Sequence, residues 1–204
     1  PVKELIAERI KPTLFLTIGA MLLSIILAVP IGIISATRQY SVFDYLATFG
    51  AFLGVSIPSF FFGLVLLFAF SLKFSWFPSG GFSDATGANN ILTYLHHAAL
   101  PILALGLARV ASMTRYMRSS MLEVIREDYI RTARAKGLKE KIVIYKHAMR
   151  NALIPVVTLV GLSVPLLFGG SLIIEEVFSY PGMGRLAVRA VWQRNYTVIM
   201  GVDV

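Results

Sequence analysis

His96 and His97 are the side chains in this sequence most suggestive of a metal site. Their spacing does not suit the chemistry. Adjacent residues on a helix point in different directions, so an i,i+1 pair does not converge on one ion. The only other histidine is His147, and there is no cysteine, which excludes a thiolate zinc site, a cysteine nucleophile and a disulfide framework. No GxxxxGK[ST] run is present, so the sequence lacks the backbone cradle that holds a nucleotide phosphate. The expectation is no catalytic residue, no metal and no cofactor, and the two histidines are read as structural.

The elements that would position such residues are strongly apolar. The 204 residues are 56% hydrophobic and 15% charged, with a mean hydropathy of +0.73. Soluble domains carry ~25% charged residues, so this chain has too little polar surface for a water-facing globule. Its aromatic and branched apolar content also excludes disorder. Four apolar runs predict membrane spans at 13–35, 45–70, 96–116 and 151–174, each near the ~20 residues that cross a hydrocarbon layer; the third is less clean, with Arg109 near one end. A signal peptide accounts for one apolar run, not for four. The fold class is therefore all-α, a polytopic membrane bundle forming one domain over 1–204. The chain opens on Pro1, and a further apolar run starts at 196–204, so a piece of a longer protein is expected. Pro30, Pro58, Pro101, Pro155 and Pro165 invite kinks outside a first helical turn, and Gly50 with Gly54 forms a small-xxx-small pair suited to close helix approach.

Charge sets the sidedness. Between Arg109 and Arg150 lie 11 basic and four acidic residues, an excess of +7 out of the chain's +8. Cytoplasmic connections accumulate Lys and Arg, which places the loop at about 118–150 inside. Alternation then puts the 36–44 loop inside, and the N-terminal tail, the 73–95 loop and everything after Glu175 outside. Arg109 is expected to snorkel or to pair between helices.

Within the inner loop, Met117, Met121, Ile125, Tyr129 and Ala133 recur in steps of four and predict one helical face. Gly137 interrupts, and Ile142, Tyr145, Met149 and Leu153 mark a second helical stretch. A basic amphipathic pair of this kind rests on anionic headgroups or seats in a groove of a cytoplasmic partner, with Ala133, Ala135 and Gly137 as the small residues at the contact. Nucleic acid is excluded as a partner, because the loop lies against a membrane and lacks exposed interleaved aromatics.

Several separated motifs narrow the reading further. DYIRTARAKGL at Asp128–Leu138 and HAMRNALIPVV at His147–Val157 are accompanied by SIPSFFFG at Ser56–Gly63, RSSMLEV at Arg118–Val124 and EEVFSYPGMGRLAV at Glu175–Val188. Together they resemble the permease subunits of ATP-binding-cassette importers, specifically the dipeptide, oligopeptide and nickel branch. The general family pattern is EAA, three residues, G, nine residues, I-x-L-P. Aligned on Gly137, it places Arg131, Thr132 and Ala133 at the EAA positions and His147, Met149 and Arg150 at the others, so only the second alanine and the glycine match. TARAKG is the variant of the peptide-importer branch. The missing glutamate leaves Glu127 or Asp128 as candidate substitutes.

The resemblance implies a multi-pass protein of a prokaryotic inner membrane that pairs with a second permease, two cytoplasmic ATPase subunits and an extracytoplasmic substrate-binding protein. It implies an ATPase-coupling helix carrying Asp128, Tyr129, Arg131, Thr132, Ala133, Ala135, Lys136 and Gly137. It also implies a binding-protein contact at Glu175, Glu176, Pro181 and Gly182. The substrate class is a peptide or related small solute. The alternative from another class is a self-contained secondary transporter or channel, which paired acidic residues inside the spans would favour; the four spans have none.

Overall fold

The computed structural model describes residues 2–82 and 90–203. Residues 83–89 of the expected outer loop, and Pro1 and Val204 of the expected domain, lie outside the described residues. All regular structure among the described residues is helical, as the composition and periodicity predict.

Helix α1 runs over Val2–Thr37, then α2 over Val42–Ser56 and α3 over Ser59–Leu66, with a π-helical continuation at Leu67–Lys73. Helix α4 occupies Ile91–Val124 and α5 Asp128–Ala135. Helix α6 (Glu140–Ile142) passes through a π-helical turn at Val143–Ala148 into α7 (Met149–Ala152), followed by α8 (Ile154–Gly169). Helices α9 (Leu172–Val177), α10 (Met183–Trp192) and α11 (Tyr196–Asp203) complete the described chain.

Among the described residues, three stretches are long and apolar enough to cross a membrane: Val2–Thr37, Ile91–Val124 and Glu140–Gly169. The second predicted span, 45–70, is instead broken between α2 and α3. Pro58 is responsible. It lacks an N–H, it disfavours helical backbone at Ile57, and its own ψ of 135° is extended. The other prolines do not end their helices: Pro101 and Pro165 lie inside α4 and α8, and Pro155 falls in the first turn of α8, where no N–H is needed. The predicted fourth span, 151–174, stops early. Gly170 takes φ +68° and closes α8 at Gly169, so Leu172 to Ile174 begin the separate helix α9.

The chain divides into two compact units. One comprises the described residues of Pro1–Leu23, Ile57–Leu107 and Val164–Val204. Its core gathers Leu16, Leu100, Ala104, Ile174, Phe178 and Tyr180, all nearly sealed from solvent. Phe82 meets Phe15 and Tyr180 edge-on and stacks on Tyr94 at 4.4 Å between centroids. The other unit comprises Ser24–Ser56 and Ala108–Ser163. Its core joins Ala28, Met117, Met121, Ile130, Val143 and Ala148.

Close helix approach occurs at Gly32 rather than at Gly50. A Cβ at Gly50 would meet open space, whereas one at Gly32 would lie 2.7 Å from Met117 Cβ. Small residues let backbones approach where a partner helix is present, and a G-xxx-G spacing does not by itself say which face has one.

Candidate functional site

The basic loop at 118–150 folds differently from the single apolar line drawn through it. Helix α4 ends at Val124, and Glu127, with φ −66° and ψ 148°, is the extended residue that starts α5. This break shifts the register, so the buried positions run Met117, Met121 and then Ile130 and Ala133. Tyr129 is exposed instead, and its hydroxyl accepts a hydrogen bond from Asn151 Nδ2 at 2.6 Å.

Eight residues were singled out on this loop. Ile130 and Ala133 pack α5 onto the core of its own unit, which accounts for the small side chain at 133. Asp128, Tyr129, Arg131, Thr132, Ala135, Lys136 and Gly137 are exposed. Asp128 and Arg131 pair at 3.4 Å with both side chains in water, an arrangement of little energetic consequence. At the far end of α5, the Arg134 guanidinium donates two bonds to the Glu140 carboxylate, at 2.7 and 3.2 Å. That fork spans the turn at Gly137, whose φ of +76° is the left-handed conformation glycine adopts without a Cβ penalty. A Cβ at 137 would touch nothing within 4 Å, so backbone conformation is the intramolecular constraint there. The loop therefore presents a short, braced, basic helix with its apolar side already occupied.

The second constellation centres on Glu175. Its side chain is completely buried, and its carboxylate accepts bonds from Thr13 Oγ1 at 3.3 Å, Arg185 N–H at 3.0 Å and Ser171 N–H at 3.4 Å. Thr13 in turn accepts the Met183 N–H at 2.7 Å. The turn wraps this carboxylate so closely that a Cβ at Gly182 would lie 2.4 Å from Glu175 Cδ. Burial pushes the Glu175 carboxyl above its ordinary range, and the N–H donors from Arg185 and Ser171 and the Thr13 hydroxyl act in the opposite direction. Burial, with the neighbouring Glu175, likewise pushes the Tyr180 hydroxyl up. Of the four residues expected at a binding-protein contact, Glu176 is exposed and Pro181 partly so, while Gly182 and Glu175 are inside.

A third cluster was not anticipated from the sequence. Arg118 forks onto the buried Asp44 with bonds of 2.7 and 2.8 Å, and the Asp44 carboxylate also accepts from Ser35 Oγ and from the Tyr40 N–H. The available signal was a lone acid, Asp44, directly before an uncharged run; Arg118, the third arginine after Ala108, carried no comparable signal.

His96 and His97 each give a ring nitrogen to a carbonyl oxygen, Trp76 O at 2.9 Å and Gly80 O at 3.0 Å. Among the described residues no group of His, Asp or Glu side chains converges to hold a metal ion.

Residues 28–204 match the family model described as "Binding-protein-dependent transport system inner membrane component". The oligopeptide transport system permease protein AppB of Bacillus subtilis (strain 168) is 47% identical over 204 residues, covering 100% of this chain and 65% of that protein. The glutathione transport system permease proteins GsiC of Pectobacterium atrosepticum and of Escherichia coli (strain K12) are each 44% identical over 199 residues, covering 98% of this chain and 62% of theirs. The chain thus spans somewhat less than two thirds of the length of these curated relatives.

Proposed function

We propose, because the chain belongs to the family of binding-protein-dependent transport system inner membrane components, that it contributes the membrane pathway of an ATP-binding-cassette importer for oligopeptides or a related small peptide such as glutathione. One observation carries the mechanism: α5 is an exposed short helix whose inner face, Ile130 and Ala133, is locked into the core of its unit. A rigidly rooted helix with a free outer face transmits displacement to the helices beneath it. Tyr129, Arg131, Thr132, Ala135, Lys136 and Gly137 form the contact with a cytoplasmic ATPase, and Asp128 opens the helix where it enters the cleft. Ala133 serves that contact from within, by seating α5.

ATP binding closes a pair of ATPase subunits, and the seated helices of this chain and of a second permease move with them. The pathway then exchanges inward-open for outward-open, provided the contact differs in free energy between the two states. An extracytoplasmic binding protein delivers substrate. Glu176 and Pro181 form its contact, and the buried Glu175 and Gly182 hold the turn that presents them. ATP hydrolysis belongs to the partner subunits. Family membership gives no support to the self-contained secondary transporter.

A photo-crosslinker placed at Arg131 or Lys136 of the full-length protein in intact cells should capture a nucleotide-hydrolysing subunit. Labelling of lipid alone would overturn the coupling role. Uptake of labelled peptide into vesicles should require ATP and the binding protein together.

A further inference from the structure

Arg9, Arg185 and Arg189 line a single cavity of about 210 Å³, and among the described residues no acidic side chain lines it. Arg185 is held in place: it donates to Ser179 O and Ser179 Oγ, and its Nε lies 3.4 Å from Glu176. Arg9 reaches Pro181 O at 3.5 Å through Nη1, yet its Nε is buried with no hydrogen-bond partner. Arg189 stands exposed, with no ion-pair partner among the described residues. Two guanidinium charges in one concave site thus have no ion-pair partner among the described residues, and Leu5, Leu186 and Val198 supply apolar walls beside them.

Depth says what meets this cavity. Arg9 precedes the predicted span edge at Thr13 by four residues, ~6 Å along a helix. The headgroup layer on each side of the hydrocarbon is ~5–8 Å thick, so Arg9 falls within it. Next to the arginines, Val191 is 58% exposed, Trp192 84% and Tyr196 70%. Aromatic rings at a helix end, beside arginines on an amphipathic turn, are the composition of a membrane interface.

We propose that this cavity binds the phosphodiester headgroup of an anionic phospholipid, with Arg9 and Arg189 as the charge-neutralising donors and Arg185 as the braced wall. Guanidinium forks suit phosphate oxygens by geometry as well as charge, and the apolar walls take the first carbons of the glycerol and acyl chains. The inference does not depend on transport, because lipid retention is read without substrate, binding protein or ATPase.

Native mass spectrometry of the full-length protein, equilibrated in micelles doped with phosphatidylglycerol or with zwitterionic phosphatidylcholine, tests it. Phosphatidylglycerol should be retained preferentially. Arg189→Gln and Arg9→Gln should each weaken that retention by about five-fold. Lys3→Gln, an exposed charge on the same helix outside the cavity, should leave it unchanged. Arg189 is solvent-facing, so its substitution reads binding without risk to folding, and thermal unfolding of Arg9→Gln checks that variant. Equal retention of the two lipids, no effect of Arg189→Gln, or an equal effect of Lys3→Gln overturns the proposal. Displacement of the lipid by equimolar inorganic phosphate would also overturn it, by assigning the site to a free anion.

Discussion

The Thr13 hydroxyl donates to the buried carboxylate of Glu175 at 3.3 Å, across 162 positions of sequence, while its oxygen accepts the Met183 N–H at 2.7 Å. One side chain thereby ties α1 to both α9 and α10. Around it the backbone donors of the turn each find an acceptor: the Tyr180 N–H bonds the Glu175 main-chain oxygen at 2.7 Å, the Gly182 N–H bonds the Tyr180 oxygen at 2.9 Å, and the Arg185 N–H bonds the Glu175 carboxylate at 3.0 Å.

Thr13→Val removes both bonds and leaves a buried N–H and a buried carboxylate oxygen short of a partner. Each unsatisfied group costs ~1–3 kcal/mol, so the full-length protein in detergent should lose ~2–6 kcal/mol of stability. Thr13→Ser should recover most of it. Thermal unfolding of the two variants provides the check.

Glu175 gives a pH dependence with a definite sign. Its carboxyl titrates above the ordinary value of 4.5 in the folded protein, so the folded state holds the proton more tightly than the unfolded chain. The stability contributed by the protonated form is full below 4.5 and is lost as pH rises through the folded value. Glu175→Gln keeps most of the shape and removes the titration. Its unfolding temperature should fall less than that of the unmodified protein between mildly acid and neutral pH; parallel curves would contradict this account.

The glycines separate space from conformation. Gly182→Ala forces a Cβ against the Glu175 carboxylate and should cost ~1–3 kcal/mol in thermal unfolding. Gly137→Ala has free space and bears only the left-handed backbone penalty, ~1–2 kcal/mol. Gly137→Asn, which tolerates that conformation, should retain ATP-driven uptake. Gly137→Glu should abolish uptake while leaving membrane insertion intact, as a bulky acid at the ATPase contact would. Normal uptake by the glutamate variant would remove the coupling role of this turn.

Asp44 and Arg118 call for a double-mutant cycle. Arg118→Met strands a carboxylate that is 5% exposed and should cost ~3–5 kcal/mol. Asp44→Asn combined with Arg118→Met should cost less than the sum of the two single changes, because the second change removes the charge the first left unpaired. Denaturant unfolding of the three variants measures the coupling.

Neighbouring alanines on α5 should behave oppositely. Ala133→Leu overfills a packed core and should lower stability by ~1–3 kcal/mol. Ala135→Leu, on the exposed side, should leave unfolding unchanged and reduce substrate-stimulated ATP hydrolysis by the assembled transporter.

Much of the molecule is legible in its sequence, because length, hydropathy and charge act locally. Apolar runs about as long as a bilayer is thick mark helices α1, α4 and α8, and the excess of Arg and Lys marks the basic loop without reference to any contact. TARAKG and YPGMGR locate the candidate interfaces as motifs. Gly137 is readable as a break since a glycine between two periodic segments has few other roles.

Tertiary structure alone decided which side chains those segments turn inward. Periodicity carried Tyr129 along an apolar line, but the extended Glu127 rotates α5 and buries Ile130 instead. Glu175 reads as an exposed loop acid until Thr13 and the turn from Ser179 to Gly184 are folded over it. Asp44 and Arg118 are separated by 74 positions, and no local pattern joins them. A local propensity acts over one or two helical turns, whereas the cost of a buried charge is set by whatever distant group arrives to meet it.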